Sequence, residues 1–268
     1  MGLYNCEKTL DEAILSIFDQ TYSKWKLILC DDGSTDLTYQ IAKRYQEQYP
    51  EKIVLVRNER NMGLNYTLNH CLQYVDTEYV ARMDGDDISH RERLEKQTAF
   101  LEQHSQYAIV ATQMEHFDEN GVWGCSSQNG EVDVRDLAKE TPFCHGTCMV
   151  RFEAYQAVGG YTDDKKLLRV EDYDLWVKMF AAGFRGYNLP EPLYKMRDDR
   201  NATNRRKFQY RINEARVRIK AVQLLHLNPV NYLFVLRPLL VGLLPKSLYE
   251  YLHKKRVKAR KDKGKYDT

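Results

Sequence analysis

Apolar residues recur at helical spacing at Leu10, Ala13, Ile14, Ile17 and Phe18, the repeat of a helix with one buried face. The short apolar run "WKLILC" that follows reads as a buried strand, and "DDGSTD" as a turn. Ser34, Thr35 or Asp36 can cap the next helix, because a short polar side chain accepts from the free N–H groups of a first turn. That helix is predicted to run to about Tyr49 and stop at Pro50. The order then repeats: "KIVLVRN" strand, "NMG" turn, "LNYTLNHCLQYV" helix, "EYVARMD" strand, "HRERLEKQTAFLEQH" helix, "YAIVATQME" strand. Such alternation predicts an α/β fold with a mostly parallel sheet and helices on both faces.

After Asn120-Gly121 the pattern becomes irregular, with short strands in "TCMVRF" and "YNLPEPLYKM" and one well-patterned helix, "EDYDLWVKMFAAGF". From Asn204 onward the chain reads as helical and amphipathic. One catalytic domain is expected over 1–204, its halves dividing near residue 120, and a helical extension with a basic tail over 205–268.

Composition narrows the class. The chain has 268 residues, 43% of them hydrophobic, and a formal net charge of +2. Global charge therefore names no partner, and nucleic acid is not expected. The six cysteines form no CxxC pair, and read as inert thiols of a reducing cytosol. Cys144, His145 and Cys148 could be zinc ligands, but no fourth is evident. No signal peptide is visible. Pro229–Pro245 is the most apolar segment, shorter than the ~20 residues of a spanning helix. With the basic tail it is expected either to touch the inner face of the cell membrane or to pack as a lid.

Both acidic clusters, "CDDGSTD" and "RMDGDD", stand at carboxyl ends of predicted strands, where open α/β sheets bind ligands. Asp84, Asp86 and Asp87 repel one another, so a positive partner is expected. An EF-hand is excluded, because Ile88 occupies the fifth loop position and Ser89 the sixth. A solvated acidic turn is the plain alternative. The functional reading is an Asp-x-Asp pair at Asp84 and Asp86 holding Mg²⁺ or Mn²⁺, with the remaining coordination left to water and substrate phosphates.

In series, "LYNCEKTLDEAILSIFDQTYSKWKLILCDDGSTD", "NMGLNYTLN", "YVARMDGDD", "CHGTCMVR" and "VEDYDLW" resemble glycosyltransferase family 2, the inverting GT-A transferases. The similarity is greatest to small bacterial members encoded with exopolysaccharide or capsule genes, and covers roughly Met1 to Arg206. It implies a GT-A fold and a hexosyl transfer with inversion from a nucleotide-diphosphate sugar, of which a UDP-sugar is expected. The acceptor implied is a glycan or polyprenyl-linked glycan. By this resemblance Tyr4, Asp31, Asp32, Asn61, Gly63, Arg82, Asp84 and Asp86 border the nucleotide-sugar. Asp32 holds base or ribose, Asp86 is the direct metal ligand with Asp84 beside it, and Asp87 is a structural cap. Asp172 is the general base with Glu171 adjacent. An inverting transfer needs one carboxylate to take the acceptor proton, although acidic residues also favour any helix start. His145 borders the acceptor or donor pocket or is structural. Trp176 is a sugar-stacking platform or, by preference, core.

Two departures qualify the resemblance. Relatives carry a central strand directly before the "YN" motif. Here only Met1-Gly2-Leu3 precede it, so the first strand is expected to be missing, with roughly ten residues absent upstream. A catalytically inactive glycosyltransferase-like binding module is the alternative that this favours. Relatives also carry a histidine near the domain end, where this chain has Arg197, Arg200 and Arg205. One of these is expected to neutralise the leaving diphosphate. An unrelated nucleotidyltransferase would want a glycine-rich phosphate loop, and none is present.

Overall fold

The computed structural model describes residues 1–197 and 207–245. Strands β1 (Gly2–Leu3), β2 (Leu27–Asp31) and β3 (Ile53–Arg57) form a parallel sheet in the order β1-β2-β3. Helices α1 (Leu10–Phe18) and α2 (Thr38–Gln48) are its crossovers. Asp36 caps α2's first turn, accepting from the Thr38 N–H at 2.9 Å. Helix α3 (Leu64–Leu72) leads from β3 towards β4 (Tyr79–Ala81).

The first strand, expected to be missing, is present. Gly2 and Leu3 pair in parallel with Cys30 and Asp31. The Cys30 N–H donates to the Met1 carbonyl at 3.0 Å, and the Asp32 N–H to that of Leu3 at 2.8 Å. A parallel bridge from Gly2 to Asp84 carries the ladder towards the second sheet. Two paired residues suffice because Leu3, 1% exposed, enters the same core as Leu10, Ile14 and Leu29. Burying such a side chain contributes roughly 1.5–3 kcal/mol.

The second sheet is mixed. It contains β5 (Ile88–Ser89), β6 (Ile109–Asp118), β7 (Gly121–Cys125), β8 (Gly130–Glu131), β9 (Met149–Arg151) and β10 (Gly186–Arg197). Its path is β4-β9-β6-β10-β5, with β7 on β6 and β8 on β10. Only β6 and β10 run parallel there; the other pairs are antiparallel. The apparently short "YNLPEPLYKM" strand is one long strand. Its register with β6 shifts around Pro192, as expected where proline withholds a ladder donor.

Helix α4 (Arg93–Gln103) follows β5, and α5 (Phe152–Val158) follows β9. Helix α6 (Glu171–Ala181) is buried on most of its circumference. Its Trp176, Val177 and Phe180 share a core with Ile109, Phe143 and Val150, and with Val217 and Ala221 of α7 (Phe208–Leu224). A short 3₁₀ segment (Pro229–Val235) then runs into α8 (Leu236–Leu243). The expected domain border at 204/205 lies outside the described residues. Among the described residues no helix is long and apolar enough to cross a membrane.

Candidate active site

The loops leaving β1, β2 and β3 are cross-tied into one wall. Asn5, at φ 50°, donates its N–H to Ser34 Oγ at 3.0 Å and accepts from the Thr35 N–H through Oδ1. Tyr4 beside it is 49% exposed, so an aromatic face stands open at the sheet's carboxyl end. Asp31 is fully buried and pairs with Arg57 Nε at 2.9 Å. Asp32 is 4% exposed and accepts from Asn58 Nδ2 at 2.8 Å, the Met62 N–H at 2.8 Å and the Gly63 N–H at 2.9 Å. A carboxylate offers about four lone-pair directions. Asp32 thus clamps the Asn61-Met62-Gly63 loop and has one direction left. Gly63 stands at φ 92°, a conformation other side chains rarely adopt.

The Asp-x-Asp turn leaves β4 and folds tightly onto β1. A Cβ on Gly85 would stand 2.8 Å from Leu3 Cδ2 and 2.9 Å from Cys6 Sγ, so any larger residue must displace these side-chain ends. Asp84 accepts from Arg82 at 2.5 Å. Burial works to raise its pKa, but the Arg82 guanidinium outweighs that and holds it below the usual carboxylate range. Asp86 is exposed at the surface of the cluster. Although part of its surface meets solvent, partial desolvation where the carboxyl faces the cluster and then the Asp84 charge push its pKa up. Asp87 is buried and pushed up to about 7, first by burial and then by Asp84 and Asp86. Its oxygens accept from Tyr194 Oη at 2.7 Å and the Arg197 N–H at 2.8 Å.

Arg82 is the hub. It is 5% exposed, and its charge is felt by Asp84, His145, Tyr161 and Asp172. His145 bonds Tyr161 Oη through Nε2 at 2.8 Å. Burial and the Arg82 charge push its pKa down to about 3, so its imidazole is neutral at physiological pH. Asp172, in the first turn of α6, is pushed up to about 6 by burial and then by Glu171, while backbone N–H groups of that turn partly oppose the shift. A carboxylate in that range is poised for proton transfer near neutrality.

Other expected residues fall differently. Trp176 is fully buried, edge-on to Phe143 at 5.4 Å and to His145 at 6.0 Å. The stacking-platform reading is therefore corrected in favour of core, since no ring face is open to a sugar. Arg197 pairs with Glu12 and donates from Nε to the Asp86 carbonyl at 3.0 Å. Arg200 and Arg205 lie outside the described residues. The zinc reading finds no support. Among the described residues no three His, Cys, Asp or Glu side chains converge, and Cys148 Sγ meets the Cys144 carbonyl at 3.4 Å.

Sequence reasoning missed two organising residues, Tyr194 and Tyr161, and read a third, Arg93, which follows the acidic cluster, only as a salt-bridge partner or ligand contact. Tyr194 Oη donates to Asp87 and accepts the Asp84 N–H at 3.2 Å. Arg93 is 1% exposed and donates to the carbonyls of Arg82 and Cys148 at 2.9 and 3.2 Å, joining the acidic turn to the His145 segment. Tyr161 supplies the partner of His145. The place of Arg93 on the buried face of α4, beside Leu94, Gln97 and Leu101, was the signal that it serves the interior rather than a surface ion pair.

Comparison with known proteins gives these features a family. The glycosyl transferase family 2 model matches residues 1–159. The chain is 47% identical over 262 residues to the putative glycosyltransferase EpsE of Bacillus subtilis, covering 98% of this chain and 94% of that one. It is 32% identical to the amylovoran biosynthesis glycosyltransferase AmsE of Erwinia amylovora, over 77% of this chain and 78% of that one. Among solved structures, Staphylococcus aureus TarS 1–349 in complex with UDP-GlcNAc superposes with a TM-score of 0.69 at 20% identity. That likeness covers 90% of this chain and 70% of that one. The fold is accordingly GT-A. The match to the family model over the first 159 residues and the EpsE likeness along nearly the whole chain say the same: this chain belongs to glycosyl transferase family 2.

Proposed function

We propose that the protein transfers a hexose with inversion from a UDP-sugar to a glycan or lipid-linked glycan acceptor in exopolysaccharide or capsule biosynthesis. The observation that carries this reading is Asp172. It is a carboxyl pushed up to about 6, at the mouth of a buried helix, within electrostatic reach of the arginine that pairs with Asp84. As general base, Asp172 takes the proton of the acceptor hydroxyl while the hydroxyl oxygen attacks the anomeric carbon and the diphosphate leaves; no covalent nucleophile is needed. Neutral His145 and Tyr161 add no competing charge to the pocket. Tyr4, Asp31, Asp32, Asn61 and Gly63 form the nucleotide wall.

Asp84 and Asp86 suit Mg²⁺ or Mn²⁺, because both donors are hard oxygens and two carboxylates leave room for phosphate and water. A cation held there would supply charge to neutralise the leaving diphosphate. Arg82 and Arg197 flank the two aspartates as fixed positive charges. An inactive binding module is disfavoured, because the missing strand that motivated it is present.

Calorimetric titration of UDP with and without Mn²⁺, into the wild type and Asp86→Asn, tests the assignment. Metal-dependent binding that the variant loses is expected. Metal-independent binding, or full retention in the variant, would move the cation elsewhere.

A further inference from the structure

The C-terminal helices carry a row of leucines that nothing among the described residues covers. Leu233, Leu236, Leu240 and Leu243 are 67%, 54%, 63% and 71% exposed. Their spacing of three, four and three places them on one face of the ramp formed by the 3₁₀ segment and α8. The opposite side is anchored. Pro238 is buried, Gly242 lies against Phe208 and Arg211, and Arg218 Nη1 donates to the Phe234 carbonyl at 2.9 Å. The outward face is therefore set by packing among the described residues.

The adjoining stretch of sequence identifies the occupant. Residues 246–268 carry nine basic and three acidic side chains, beginning directly after Pro245. A partner protein's interface core is depleted in charge, whereas an apolar helical stripe flanked by cations has the composition of an element lying in an anionic lipid surface. We propose that α8 docks on an anionic membrane surface, its leucines entering the acyl boundary and the basic segment meeting lipid phosphates. This helix lies on the bilayer, since no described helix can span one. The inference stands on the exposed leucines and the adjacent charge, whatever sugar is transferred. Because α7 carries α8 and shares a core with α6, docking would hold Asp172 near acceptors embedded in the same membrane.

Flotation of the full chain with vesicles of equal parts phosphatidylglycerol and phosphatidylcholine, against phosphatidylcholine alone, tests this. Binding to the anionic vesicles alone is expected. The Leu240→Glu/Leu243→Glu variant should lower the partition coefficient about tenfold or more. Lys254→Gln/Lys255→Gln/Arg256→Gln should lower it on the order of a hundredfold. Circular dichroism and thermal unfolding verify that each variant folds. The proposal is overturned if the wild type stays with the soluble fraction, or if the leucine variant floats as well as the wild type. Light scattering supplies the remaining outcome: a wild-type dimer that the leucine variant splits, without vesicle binding, would overturn it and make this face an interface between copies.

Discussion

Tyr194→Phe deletes one oxygen from the centre of the acidic turn. The side chain is fully buried, and its ring packs under the Arg93 guanidinium at 4.9 Å, so phenylalanine keeps both volume and cation–π contact. Two hydrogen bonds disappear: the 2.7 Å donation to Asp87 and the 3.2 Å acceptance from the Asp84 N–H. A hydrogen bond to a charged group contributes about 1.5–3 kcal/mol, and a stranded buried N–H costs about 1–3 kcal/mol. Asp87, pushed up to about 7, is partly neutral at pH 7, which argues for the lower end of each range. The expected loss is about 3 kcal/mol, or roughly 6–12 °C in Tm for a chain of this size. Thermal unfolding by circular dichroism measures it, and UDP titration with Mn²⁺ should show weakened binding because Asp84 loses its backbone tether. A melting temperature unchanged within about 1 °C, with UDP affinity also unchanged, would mean that the turn holds without Tyr194 and would refute the reasoning.

Two further predictions concern the same region. Asp172 must be ionised to accept a proton, and burial raises its pKa to about 6, so kcat/KM should rise with pH through about 6 and level off above it; Asp172→Asn should cut kcat about 10²–10⁴-fold with UDP binding retained, and a flat profile in the wild type would remove Asp172 from the role. Gly85→Ala forces a Cβ to within 2.8 Å of Leu3 and 2.9 Å of Cys6, which should destabilise the protein by about 1–3 kcal/mol; an unchanged denaturant midpoint would show that β1 yields without cost.

Local pattern alone determined the alternating strands and helices of the first half and the position of both acidic clusters at strand ends. These features rest on short-range periodicity and turn chemistry, which each segment carries in itself. Helices α1 to α4 and strands β2, β3, β4 and β6 appear at the segments whose own patterns predict them. The second half was less legible because its sheet is mixed, and β10 hides a long strand behind two prolines. Only tertiary structure decided three matters. Gly2 and Leu3 make a strand because β2 and Asp84 are there to pair with them. Trp176 is core because α7 covers α6. The carboxylates of one four-residue turn are shifted in opposite directions because the Arg82 guanidinium holds Asp84 down while burial and the neighbouring carboxylates push Asp87 up. The first two depend on partners far away in sequence, and the third on a burial that distant segments impose on neighbouring charges. A chain's own pattern specifies what each segment can become; desolvation and long-range charge, set only by the packed whole, decide what its side chains can do.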